Sequence, residues 1–138
     1  SKTILSGLTN KKEIFVVEMG AYKKGEIEQM CNIVKPKIGV LTAVNDQHIS
    51  LFGNIENTKA AKYELIESLQ RGGLGLFNAN NDNAYDLYLR TKKSKILYFV
   101  DYDNSGSLQS FGKNFPDLYA TNIKIGKFSL ATSLAITL

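Results

Sequence analysis

The chain has 138 residues, enough for one domain with a sizeable core, and its 43% hydrophobic and 22% charged content is that of an ordinary globular protein. A single cysteine, Cys31, excludes an intramolecular disulfide, and no apolar run reaches the ~18–20 residues of a membrane helix. The net charge of +4 comes from scattered lysines, the pattern of a solvated surface rather than a nucleic-acid stripe, and it leaves room for an anionic substrate such as a nucleotide.

Residues 3–9 read as a helix tail or turn. Ile14 to Glu18 is a short β-branched apolar run, which predicts a buried strand. A loop from Gly20 to Gly25 follows, and its backbone N–H groups are placed to meet an anion. Helical spacing of Ile27, Met30, Cys31 and Val34 predicts a helix over Glu26 to Val34, stopped by Pro36. Cys31 should pack there as a small hydrophobe.

Ile38 to Val44 predicts a second buried strand, followed by a polar loop to Gly53 that carries His48, the only histidine. Glu56 to Gln70 is the clearest helix, closed by Gly72-Gly73. Strands over Leu74 to Phe77 and Lys95 to Val100 bracket a helix over Ala84 to Arg90. Leu118 to Ile125 alternates like an edge or antiparallel strand, and Gly126 to Leu138 is an apolar, small-residue helix candidate. Alternating strands and helices predict an α/β fold, a mostly parallel sheet flanked by helices. Ligands of such folds bind at the carboxyl ends of the strands, where Glu18, His48 and Asn78 fall.

Three residues stand out for chemistry. Glu18 ends a strand and offers the single carboxylate that Mg²⁺ needs beside waters and phosphates. His48 lies in a polar loop after the next strand, with Asp46 as a partner able to orient it. Lys62 sits in the clearest helix beside Ala60-Ala61. By position it reads as a solvent-facing lysine, with Lys59 as an exposed neighbour. A lysine near a metal can instead react with CO₂ to give an anionic carbamate. Asn78, Asn80, Asn81 and Asp82 follow the third strand, where such side chains bond a base or ribose, or simply make turns. No GxxxxGK[ST] phosphate loop is present in the chain.

The segments Val16-Val17-Glu18-Met19-Gly20-Ala21 with Gly25-Glu26-Ile27, His48 to Gly53, Ala61 to Leu65 and Phe77 to Asp82 occur together in order. In that combination the chain resembles the central domain of the Mur ligases. The branch it is most similar to adds D-alanyl-D-alanine to the UDP-N-acetylmuramoyl peptide. The resemblance implies a P-loop NTPase-like domain, here as residues 1–138 of a partial, N-terminally truncated central domain. The phosphate loop, N-terminal substrate domain and C-terminal domain would then lie outside the chain, which alone would be inactive.

The resemblance further implies that Glu18, His48 and Lys62 are the catalytic and metal-binding residues. Glu18 and His48 would be Mg²⁺ ligands, and Lys62 a carbamylated lysine. Asn78, Asn80 and Asp82 would bind ATP on its nucleoside side. The implied reaction activates a peptide carboxylate as an acyl phosphate, and an incoming amine then displaces phosphate. The implied protein is a cytoplasmic, monomeric ligase of peptidoglycan precursor synthesis. Its partners are a UDP-linked muramoyl peptide and D-Ala-D-Ala, with no nucleic acid and no membrane.

Two features depart from the family pattern. The Asn80-Asn81-Asp82 run replaces a more acidic or differently registered one, and Phe128-Ser129 stand where polar nucleotide contacts are expected. A folylpolyglutamate- or cyanophycin-synthetase-like ligase, and a non-catalytic nucleotide- or partner-binding descendant, are the alternatives.

Overall fold

A computed structural model describes residues 14–45, 52–101 and 116–120. The elements in chain order are α1 (Glu26–Val34), β1 (Ile38–Leu41), α2 (Ile55–Glu67), β2 (Leu74–Asn78), α3 (Asp82–Arg90), β3 (Lys95–Val100) and β4 (Leu118–Ala120). The four strands form one sheet in the order β1-β2-β3-β4, and every neighbouring pair is parallel.

Register explains the packing. Leu41 lies opposite Phe77, and Phe77 opposite Leu97, so the three side chains line one face. That face carries Gly39 and Gly75 as well. A Cβ at either would meet α2: Leu65 Cγ at 3.0 Å from Gly39, and Ile66 Cδ1 at 3.2 Å from Gly75. The two glycines therefore let α2 lie close to the sheet. Ile66, Leu69, Leu87, Phe77, Leu97 and Phe99 close the core, with Phe77 edge-on to Tyr88 at 5.8 Å.

The helix ends are capped by side chains and by loops. Asn54 accepts the Asn57 N–H at 2.8 Å to start α2, and Asn81 accepts the Ala84 N–H at 3.0 Å to start α3. At the other end of α1, Lys35 takes a left-handed conformation (φ 51°) and its N–H donates to Cys31 O, before Pro36 blocks continuation. Lys93 donates to the carbonyls of Ile66 and Glu67, and Lys95 to those of Tyr88 and Thr91, so two lysines close α2 and α3.

One expectation is corrected. Ile14 to Glu18 is not a buried strand: residues 14–20 carry no regular structure, and Ile14 and Val16 are 81% and 86% exposed. An apolar run becomes a strand only where a neighbouring strand pairs with its backbone, and among the described residues none does. Leu118–Ala120, within the run read as an edge or antiparallel strand, lies at the edge of the sheet among the described residues and runs parallel to β3. The predicted helix tail at 3–9, residues 121–125 and the helix candidate at 126–138 lie outside the described residues.

Candidate active site

A cleft of about 190 Å³ is lined by Gly20, Ala21, Tyr22, Phe52 and Lys62. Lys62 lines it from the middle of α2, and Gly20 to Tyr22 line it from the loop before α1. Glu18, two residues before Gly20, has an exposed side chain. His48 and Asp46 lie outside the described residues, as do Phe128 and Ser129.

By position Lys62 and Lys59 both read as exposed, and the structure corrects this for Lys59, which is buried, while Lys62 is half-buried. Lys59 is only 8% exposed and binds Glu56 Oε1 and Asp86 Oδ2, both at 2.9 Å. Those two carboxylates raise its pKa, Glu56 first, and Lys59 in turn holds both carboxyls below their ordinary values. Arg90 completes the network, 2.7 Å from Asp86. Lys62 is half-buried and has no ion pair or hydrogen bond among the described residues. Its amine borders the cleft without a competing internal partner there. The Glu56–Lys59 spacing of three carried a sequence signal for the pairing; the contribution of Asp86, 27 residues on, carried none.

The loop before α1 is held by carboxylates. Gly25 is the N-cap of α1, at φ 91°, and has no side chain to cap with. Glu64, in α2 and only 5% exposed, supplies the cap from another element. The Gly25 N–H donates to Glu64 Oε1 at 2.6 Å and the Glu28 N–H to Oε2 at 3.2 Å. Glu26 folds back to accept the N–H groups of Tyr22 (2.7 Å) and Lys23 (3.2 Å), which lower its pKa, Tyr22 foremost. The loop expected to cradle an external anion thus gives these N–H groups to the protein's own carboxylates. Sequence reading assigned Glu64 no role, because its partner is 39 residues away. Met19 packs its sulfur 3.8 Å from the buried Cys31 Sγ, tying the segment after Glu18 to α1. Burial is the main cause that pushes the Cys31 thiol pKa up.

The asparagines after β2 stitch strand ends together. Asn78 Nδ2 donates to Thr42 O at 2.7 Å, and Asn78 Oδ1 accepts the Asn80 N–H at 2.9 Å. Asn80 pairs with both backbone groups of Val100. Asn81 Oδ1 also accepts the Val44 N–H, joining the β1 exit to the start of α3. Asp82, the first residue of α3, is exposed. Among the described residues no three His, Cys, Asp or Glu side chains gather as a metal cluster, and no helix is long and apolar enough to cross a membrane. Among the described residues the Lys62 amine lines the cleft, and the exposed Glu18 carboxylate lies two residues before its Gly20 edge. One carboxylate with waters and phosphates is a donor set that Mg²⁺ accepts, so the residues present fit that ion.

Comparison with known proteins gives a consistent picture. The sequence profile of the Mur ligase middle domain matches residues 1–134. The UDP-N-acetylmuramoyl-tripeptide–D-alanyl-D-alanine ligase of Rickettsia prowazekii is 27% identical over 108 residues, covering 78% of this chain and 22% of that protein. The ligase of the same name from Bacillus subtilis is 30% identical over 92 residues, covering 64% of this chain and 20% of that protein. A crystal structure of MurF from Acinetobacter baumannii superposes with a TM-score of 0.63 at 22% identity, over 70% of this chain and 21% of that one. The chain therefore spans about a fifth of the length of the relatives it matches.

Proposed function

Because the chain belongs to the Mur ligase middle-domain family, we propose that it is part of the central domain of an ATP-dependent amide ligase of peptidoglycan precursor synthesis. The full-length protein would join D-Ala-D-Ala to the carboxylate of a UDP-linked muramoyl peptide in the cytoplasm, acting as a monomer. The observation that carries this reading is the cleft in which Lys62, free of internal partners among the described residues, faces the loop that continues from Glu18.

In this reading Glu18 and His48 hold Mg²⁺, and Lys62 supports the same site as a carbamate. When bound, ATP supplies the phosphoryl group that activates the carboxylate, and Mg²⁺ supplies positive charge beside it. The chain's own residues position and shield. Gly20, Ala21 and Tyr22 wall the cleft, and Phe52 gives it an apolar side. Asn78 and Asn80 brace the strand ends that would underlie the nucleoside, and the exposed Asp82 offers it a carboxylate.

Lys62→Ala in the full-length protein should abolish most amide formation, with partial recovery on adding short carboxylic acids that replace the carbamate. Undiminished activity in that variant would remove Lys62 from the site and the reading with it. A GxxGK[ST] loop in the sequence upstream of Ser1 is a second requirement.

A further inference from the structure

We propose that Glu64 is a positioning residue for the Lys62 cleft: it clamps the Gly20–Gly25 wall against the helix that carries Lys62. The claim that this serves catalysis rests on the ligase reading above; the clamp itself rests on geometry alone.

Three observations meet at Glu64. It stands two residues after Lys62 on α2, so whatever it binds is referenced to the helix that presents the amine. Its two oxygens take separate backbone N–H groups, Gly25 at 2.6 Å and Glu28 at 3.2 Å, both at the start of α1. It is buried, with 5% of its surface exposed, so water is poorly placed to replace either bond.

The amides at the start of α1 need an acceptor, and Gly25 offers no side chain for it. Most helices meet this need locally, with Ser, Thr, Asp or Asn at the cap. A local cap fixes only the helix to its own loop. A carboxylate from α2 fixes that loop to α2, and a negative charge suits the positive end of α1. The loop side is fastened as well: Glu26, the first residue of α1, holds the Tyr22 and Lys23 amides. The chain of contacts thus runs from α2 through Glu64 to Gly25, through Glu26 to Tyr22, and back across the cleft to Lys62. Gly25 and Tyr22 carry the constraint to the wall because nothing longer than the loop separates them.

Competitive acetylation with limiting acetic anhydride, read by peptide mass spectrometry, tests the clamp on this chain. Lys92, exposed on the loop after α3, is the reference, and the ion-paired Lys59 on the same helix as Lys62 reports general opening. Glu64→Ala should raise Lys62 acetylation about fivefold relative to Lys92 and leave Lys59 unchanged. Glu64→Gln, which keeps one acceptor oxygen, should give about a twofold rise. An unchanged Lys62 ratio overturns the proposal, and so does a rise of Lys59 in step with Lys62. Should Glu64→Ala not fold, the Gln variant decides by the same two criteria. In the full-length protein, Glu64→Gln should lower kcat for amide formation with little change in KM for the muramoyl peptide. If Lys62→Ala there proves fully active, the ligase-site reading fails while the acetylation result still decides the clamp.

Discussion

The Asn80 carboxamide pairs with both backbone groups of Val100, donating from Nδ2 to the carbonyl at 2.9 Å and accepting the N–H on Oδ1 at 2.8 Å. A side chain thereby extends the β2–β3 ladder past its last backbone bond, Ala79 N–H to Tyr98 O at 2.7 Å. Asn80→Ala removes both bonds and should cost about 1–2 kcal/mol of stability, since the site is partly open to water. Urea unfolding of the variant checks this. A midpoint equal to the parent's would mean that solvent replaces the pair at no cost.

The Glu56–Lys59–Asp86–Arg90 network makes stability depend on pH in a stated direction. Lys59 depresses the Glu56 and Asp86 pKa values below those of the unfolded chain. Their contribution is therefore present above the ordinary carboxylate range and is lost as pH falls below about 4. Lys59 is shifted upward, so its contribution is full below its unfolded pKa and fades only as pH rises beyond about 10.5. Between those limits the network should be flat. Thermal melts from pH 7 to pH 3 should show a shallower acid decline in Lys59→Met than in the parent, and parallel curves would contradict the assignment.

Gly73 should tolerate alanine least among the glycines around the sheet. An added Cβ would lie 2.8 Å from Gln70 O, in the turn that leads into β2, and 2.9 Å from Lys37 O, just before β1, and both are backbone atoms. At Gly39 the nearest atom is the side-chain Leu65 Cγ at 3.0 Å, which can yield. Gly73→Ala should cost about 2–3 kcal/mol and Gly39→Ala about 1 kcal/mol. Equal unfolding midpoints for the two variants would show that the turn yields as easily as the side chain.

Lys59 and Lys62 should separate stability from function, although they lie three residues apart on one helix. Lys59→Ala leaves the Glu56 and Asp86 carboxylates without their shared cation and should lower the unfolding midpoint. Lys62→Ala, at a half-buried position on the cleft, should change stability by no more than about 0.5 kcal/mol. Paired denaturation curves test the contrast, and a larger loss for Lys62→Ala would reverse it.

Much of the fold is legible in residue order because local forces fix it. Apolar positions recurring through Glu26–Val34, with Pro36 beyond, determine α1 to the residue, and the run Lys95–Val100 determines β3. The family was legible too, since its short motifs are contiguous pieces of chain. Tertiary contact decided the rest. Ile14 to Glu18 has the composition of a strand but no paired neighbour among the described residues, and composition supplies none. The direction of Leu118–Ala120 depends on which way the chain returns to β3.

Two lysines of equal chemistry diverge because Asp86, from another helix, reaches only Lys59. The buried cap that Glu64 lends to Gly25 has no local signature, because a carboxylate finds an amide 39 residues away only after the chain has folded. Sequence by itself determined most of the elements and the kinship, through periodicity and contiguous motifs. Only the tertiary structure decided which charged groups are spent on holding the protein together and which amine is left facing the cleft.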